Sequence, residues 1–455
     1  MVKVYMGATS LSRTVCFRWA AVAVFSFAFL GAVARADQGE RTWTFELTTP
    51  GSYKVQVAHE TTAPVPAPAL VTYTVTIGQQ TQSRQLDLVT NRPFIPLIAD
   101  VPTPQQMRVA ISGLPEEALR HTRAQVFDAA LLEPEQDMGL DKRANAAAVH
   151  QIRAILQQPA EDIDLARTEL TIDKLIDPTV DVDANLHIID SMVAAVRVMP
   201  DFGVDSGAKL LALKKYVYEP GPWNNGQAFQ YDLEDPLGTI ISNKLLSHYI
   251  AIKKGNCVTM PFLFIVLGQR LGLDVTASTA PKHFLVKFNV GQAGAWINLE
   301  ATSGANPARD VWIRQQIPMT DEALANGVYL QPLTKKETVA AMTSVLAEYY
   351  FTRRDYETAI AISELALRYY PKDVAAMTMK GASYFRLLRR DFLEKYKSPS
   401  DIPAAQQVLA EELSRGNHLW FAKAEALGWR EETKEQDDQY LQRIDRARER
   451  SSPNN

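Results

Sequence analysis

The sequence predicts a multidomain fold in three parts: an N-terminal all-β sandwich of jelly-roll type, a central α+β core, and C-terminal α-helical hairpins. Three observations carry this reading. Residues 41–130 alternate apolar and polar side chains in short runs broken by Gly, Pro or Asn. From Ala144 onward apolar residues recur every three or four positions, the period of an amphipathic helix. From about Ala340 that period gains a longer repeat, in which Leu346, Ala347, Tyr350, Ala359, Ala366 and Pro371 match tetratricopeptide spacing. A chain of 455 residues with 46% hydrophobic and 22% charged residues has ample material for several buried cores. Its formal net charge of −4 and lack of a basic patch or stripe argue against nucleic acid as a partner.

Residues 1–36 read as an export signal. Lys3, Arg13 and Arg18 make a positive start, the run from Trp19 to Ala34 is apolar but short for a bilayer, and Ala34-Arg35-Ala36 has the small-x-small form of a cleavage site. The alternative is an uncleaved anchor. Cleavage predicts a periplasmic or secreted protein with no membrane span left, more acidic than the full chain because four basic residues and no acid leave with the signal.

The sandwich is expected over 37–132, with strands in TWTFELTT, GSYKVQVAH, LVTYTVTIG, QSRQLDLVT and QMRVAISGL. Pro-rich 62–68 is expected to be a loop or edge. The pattern resembles small carbohydrate-binding-like modules of exported enzymes. Trp43, Tyr53 and Tyr73 are either core aromatics, the favoured reading, or faces for stacking on a sugar. A polar, acidic linker is expected at 133–143 and the α+β core at 144–335.

Within that core, helices are expected in ANAAAVHQIRAILQQP, DIDLARTELTIDKLID, DANLHIIDSMVAAVRVM and DSGAKLLALKKYVYE, with Asp162 and Asp205 as caps. The stretch from Pro220 to Asp235 is too long and too rich in Gly, Asn and aromatics to be a simple turn. Residues 336–430 form the tetratricopeptide-like region, in which AAQQVLAEELSRG and HLWFAKAEALGW are expected to be separate helices. A charged tail occupies 431–455.

Chemistry concentrates between Lys253 and Gly304. The chain has two cysteines, and Cys16 lies inside the signal, so an exported mature chain keeps the single thiol of Cys257. Gly255 suits a tight turn, Asn256 caps well, and Pro261 is tolerated only in a first helical turn. Cys257 is therefore expected at the positive end of a buried helix. There a helix terminus and a nearby imidazolium favour a thiolate and can draw a thiol well below its usual value of about 8.5.

In the strand that follows, His283, Leu285 and Lys287 share one face, expected toward a cleft, opposite Phe284, Val286 and Phe288. In WINLE, Trp296, Asn298 and Glu300 share a face. A base needs a third group to orient it, and Glu300 and Asn298 are the two candidates. The Cys257 N–H is one expected oxyanion donor. Asn243 or a residue of the Trp223–Tyr231 loop is a candidate for the second.

GNC before an apolar helix, PKHFLVKF and WINLEATSG together resemble the transglutaminase-like superfamily, whose core is papain-like. EDIDLARTELTIDKLID, the YEPGPWNNGQAFQYDLEDP loop, KKGNC and the tetratricopeptide-like tail are similar to its bacterial SirB-type branch. The resemblance covers roughly Ala144 to Gly428. It implies Cys257 as nucleophile, His283 as base and Glu300 as third member, where the family usually has Asp.

The expected function is an exported cysteine enzyme acting on amide bonds by Cys-His-Glu acyl transfer, with hydrolysis favoured. A peptide or protein of the cell envelope is its expected substrate, and the helices are a surface for a protein partner. The alternative is a catalytically silent scaffold binding envelope partners. No cofactor is implied. A metal site of Cys257, His283 and Glu300 is disfavoured by the absence of CxxC or HxxxH spacing.

Overall fold

The computed structural model describes residues 33–37, 39–47, 51–59, 70–87, 97–101, 105–114, 119, 122–128, 138–236, 238–291, 295–431 and 442. They fall in two compact units, one up to residue 128 and one from residue 138. Most of the expected signal, the Pro-rich stretch at 62–68 and nearly all of the expected tail lie outside the described residues. The expected cleavage motif, Ala34–Ala36, lies within the first strand, β1 (Val33–Asp37), which pairs with β2 (Glu40–Leu47).

The first unit is built from antiparallel strands. β3 (Gly51–His59), β4 (Leu70–Ile77), β5 (Gln80–Asp87) and β7 (Gln105–Ser112) occupy segments where alternation predicts them. β6 (Leu97–Val101) and β8 (Thr122–Asp128) are additional. LIADV is too short to show a period, and β8 is diluted by Arg, Gln and Asp. The strands form two sheets, ordered β1-β2-β7-β4-β5 and β6-β3-β8.

A two-residue turn with Gly78 at φ 57° joins β4 to β5, the conformation a tight hairpin needs. Every second residue of β2, β4 and β7 points inward: Phe45, Tyr73, Met107, Val109 and Ile111 are buried in one cluster with Val55 of β3 and Ala124 of β8. Trp43 and Tyr73 belong to that cluster, so both serve as core and not as exposed stacking faces. The side chain of Tyr53 lies outside the described residues.

In the second unit, Leu140–Arg143 is a short turn of helix within the stretch expected to be a linker; Leu140 is buried and Arg143 reaches Glu357 at 3.5 Å. Four helices follow: α1 (Ala146–Gln157), α2 (Leu165–Ile176), α3 (Val182–Arg197) and α4 (Ser206–Tyr218). Each is capped by a side chain accepting first-turn amides, from Asn145, Asp164, Asp181 and Asp205 respectively. Asp205 caps as expected. Asp162 does not: it ends a 3-10 turn, and Asp164, two residues on, accepts from Ala166 and Arg167.

β9 (Gln230–Tyr231), α5 (Leu246–Ile252) and β10 (Lys254–Gly255) lead into α6 (Thr259–Arg270). Residues 259–268 of α6 are all buried, as an all-apolar helix must be. It packs against α3, α4 and α5 and against β11 (Val275–Ala280) and β12 (His283–Asn289). With β13 (Trp296–Glu300) and β14 (Asn306–Ala308), these strands make an antiparallel sheet in sequence order.

α7 (Asp310–Gln316) and α8 (Asp321–Ala325) are short. α9 (Lys335–Thr352), α10 (Tyr356–Tyr369) and α11 (Val374–Leu388) then pack each against the next, and α12 (Ala404–Ala426) packs on α11. α12 is one helix where two are expected. Gly416 does not stop it, because this glycine is a packing site: a Cβ there would lie 2.8 Å from the Tyr384 ring. Gly381 of α11 is its counterpart, with no room against Phe421, and its carbonyl accepts from the Asn417 side chain at 2.8 Å.

Candidate active site

Cys257 sits between two short pieces of backbone pairing. On one side β10 pairs in parallel with β9, and Gly255 carbonyl accepts from Asp232 N at 2.7 Å. Gly255 is required by proximity: a Cβ would lie 2.5 Å from the Tyr249 ring and 2.6 Å from Thr259 Oγ1. Asn256 is buried and closes a reciprocal cap. Its Oδ1 accepts from Val258 N at 2.9 Å and Thr259 N at 3.3 Å, while its own N–H donates to Thr259 Oγ1 at 3.1 Å. Asn256 Nδ2 donates to the Asn243 carbonyl at 3.0 Å, tying the cap to the preceding segment. The helix thus opens two residues after Cys257, with Pro261 in its first turn.

On its other side Cys257 is stitched to β12. Phe284 N–H donates to the Cys257 carbonyl at 3.3 Å, and the free, half-buried thiol lies 3.5 Å from the Lys282 carbonyl. Pro281 and Lys282 form the two-residue turn between paired Ala280 and His283, and Lys282 takes a left-handed φ of 54° to close it. His283 therefore enters β12 beside the sulfur. Among the described residues, no acceptor takes the Cys257 N–H.

Register decides which group meets the imidazole. Val286 pairs with Leu299, so Glu300 stands diagonally across from His283. His283 Nε2–H donates to Glu300 Oε2 at 2.8 Å, and Glu300 Oε1 accepts from Thr302 N at 3.0 Å and Thr302 Oγ1 at 2.6 Å. Their side chains are 13% and 7% exposed, so the pair is largely shielded from water.

Burial alone would lower the His283 pKa. The charge of Glu300, hydrogen bonds with Cys257 and Glu300, and the charge of Cys257 outweigh it and raise His283 to about 10. Burial pushes Glu300 up, but the His283 charge and the hydrogen bonds from His283 and Thr302 leave it below its usual value. With Nε2 held by the carboxylate, Nδ1 is the ring atom left for the thiol.

The other candidates fall elsewhere. Asn298 does not orient the imidazole. It pairs with Lys287, four residues along β12 from His283, and its Nδ2 donates to the Ala308 carbonyl at 2.9 Å and Asp310 Oδ1 at 2.6 Å. Asn243 is not an oxyanion donor, because its Nδ2 is committed to Asp232 at 3.3 Å and Asp235 at 3.1 Å. In the loop, the Trp223 indole donates to the Glu219 carbonyl at 3.2 Å and Tyr231 O–H to the Pro236 carbonyl at 3.1 Å. Lys287 is buried and does not face a cleft; burial lowers its pKa against the pull of Asp310.

Two residues at the site escaped the sequence reading. Thr302 anchors Glu300, a role foreshadowed only by its place two residues after the acid. Tyr218, at the end of α4, is half-buried with its hydroxyl shielded from water, and its pKa is pushed up by burial and by the charge of Glu300. Among the described residues, its hydroxyl has no partner.

A buried helix presenting a thiol to the β11–β12 turn of an antiparallel sheet, with a His–carboxylate pair on that sheet, is consistent with a multidomain α+β protein that has a transglutaminase-like core. A domain of the transglutaminase-like superfamily lies at residues 224–344. The chain is also similar to a UPF0162 protein of Buchnera aphidicola subsp. Baizongia pistaciae, 22% identical over 207 residues that cover 44% of this chain and 73% of the relative. UPF0162 proteins of two Xylella fastidiosa strains are 22% identical over 268 residues, covering 55% of this chain and 90% of each relative. No solved structure matches the chain.

Proposed function

We propose that this protein is an exported cysteine enzyme that cleaves amide bonds by acyl transfer through Cys257, His283 and Glu300. The observation that carries this reading is the His283–Glu300 bond of 2.8 Å, with the Cys257 thiol 3.5 Å from the carbonyl of Lys282, the residue just before His283. An imidazolium beside the sulfur stabilises a thiolate. The thiolate attacks the amide carbonyl, and the Cys257 N–H donates to the oxygen as it becomes negative. His283 gives its Nδ1 proton to the leaving amine as the C–N bond breaks, leaving a thioester. His283 then takes a proton from water, which attacks the thioester and releases the acid and the thiol. Glu300 holds the ring through Nε2 and balances its charge throughout.

Hydrolysis is favoured over cross-linking because water is always present and nothing in the sequence marks an amine site. The N-terminal 36 residues act as a cleavable signal in this reading, and the two sheets of the first unit form a sandwich. Purified protein mixed with a cell-envelope peptide digest should generate new amine and carboxyl termini, detected by mass spectrometry. Cys257→Ala and His283→Ala proteins should generate none. Equal cleavage by Cys257→Ala would remove the proposal. Recovery of the chain in the envelope fraction with its first 36 residues still attached would remove the signal reading alone.

A further inference from the structure

Beside the imidazole lies a cavity of about 330 Å³, at the lower end of the roughly 300–1,000 Å³ typical of small-ligand sites. His283 and Val258, the residue after the nucleophile, line it, and Cys257 does not. Part of its wall comes from the helical region: Val374 and Ala375 at the start of α11, Phe421 in α12 and Trp429 just beyond it. These four lie beyond the superfamily domain at 224–344.

Specific contacts hold that wall in place. Tyr370 O–H lies 3.2 Å from Thr279 Oγ1 of β11. Thr320 Oγ1 donates to the Gly428 carbonyl at 2.6 Å, and Arg430 pairs with Glu322 at 2.9 Å. Gly428, at φ +95°, lies so close to Ala323 that a Cβ would be 2.3 Å from its nitrogen. The lining is mostly apolar, and among the described residues one polar atom in it is unsatisfied: Ser344 Oγ is buried with no hydrogen-bond partner there.

We infer that this cavity is the specificity pocket of the site and receives a large apolar side chain of the peptide substrate, next to the scissile amide. The inference rests on the acyl-transfer reading above. An apolar cavity walled by the catalytic imidazole but not by the sulfur is placed for the group flanking the reacting carbonyl. Ser344 Oγ is placed to meet one polar atom of that residue. The C-terminal helices then complete the substrate site and are more than an adaptor surface.

The test uses the full chain and N-acetyl-aminoacyl chloromethyl ketones of Phe, Leu and Gly, each labelling rate divided by the same protein's iodoacetamide rate. The Phe and Leu reagents should label Cys257 about ten-fold faster than Gly or more, the scale on which apolar pockets discriminate. Filling the cavity from its exposed rim with Ala375→Trp, or from its floor with Ser344→Leu, should bring the three rates together. Equal rates in the wild type, or a preference that survives both variants, would overturn the pocket. If Cys257 proves inert to every reagent, the acyl-transfer reading fails. The cavity is then judged by binding of N-acetyl-phenylalanine amide to the wild-type protein, followed by NMR. Saturable binding lost in Ala375→Trp supports it, and no binding ends it.

Discussion

Of the two nitrogens of the His283 ring, Nε2 faces a tightly specified partner. Glu300 is pinned by Thr302 on one oxygen and by the ring on the other, so the extra methylene relative to Asp is accommodated by an anchor. Glu300→Gln keeps the shape and removes the charge. It should bring the His283 titration, read by NMR, down from about 10 toward the ordinary value near 6.5.

The pair also makes stability depend on pH. Because the folded pKa of His283 is raised, its contribution is fully present below about pH 6.5 and is lost as pH rises through about 10. Because that of Glu300 is lowered, its contribution is present above its usual range near 4.3 and is lost as pH falls through the depressed value. Urea midpoints should therefore fall on both sides of a maximum. Both limbs should be shallower in Glu300→Gln. At this scale the sequence showed which residues share a face and no more. Alternation put Asn298 and Glu300 on one side of β13, but only the register, Val286 on Leu299, separates the residue that reaches the imidazole from the one that lies beyond it.

Among the elements, α6 and its cap are the part on which the thiol's position depends. The Asn256 side chain makes three hydrogen bonds there, two from first-turn amides and one to the Asn243 carbonyl, so Asn256→Ala should cost about 1–2 kcal/mol of stability, measured by chemical denaturation. Asn256→Asp, which keeps the accepting oxygens, should cost less. The existence of α6 was plain from a long apolar run between a Gly-Asn turn and Leu271-Gly272. β11 was harder to see, because VTASTA is rich in small and hydroxyl residues and its apolar positions are weak. Gly416 misled for a related reason: a glycine in a helical pattern reads as a stop, and whether it is a stop or a contact depends on Tyr384, which is 32 residues away in the chain and packs directly on it.

For the second unit as a whole, long-range polar contacts make core and helices one body. Lys244, just before α5, places its ammonium 2.7 Å from both oxygens of Glu348 on α9, and both side chains are buried. Removing one partner strands a buried charge, so Glu348→Gln should destabilise the protein by about 3 kcal/mol. Replacing both, as Lys244→Met with Glu348→Leu, should recover most of that in thermal melts. Asn145 adds a second tie, through Thr358 at 2.7 Å and Tyr350 at 3.1 Å. The change from strands to helices was legible because composition and period change along the chain. The docking of the helices was not, since partners 104 or 213 residues apart leave no local pattern.

The central claim is that Cys257, His283 and Glu300 act as one unit. Its most direct measurement is the rate of iodoacetamide alkylation of Cys257 from pH 5 to 10, in wild type and in His283→Ala. The account predicts that at neutral pH the variant reacts about ten-fold more slowly or worse, and that the shape of its pH curve differs. Superimposable curves for the two proteins would contradict it.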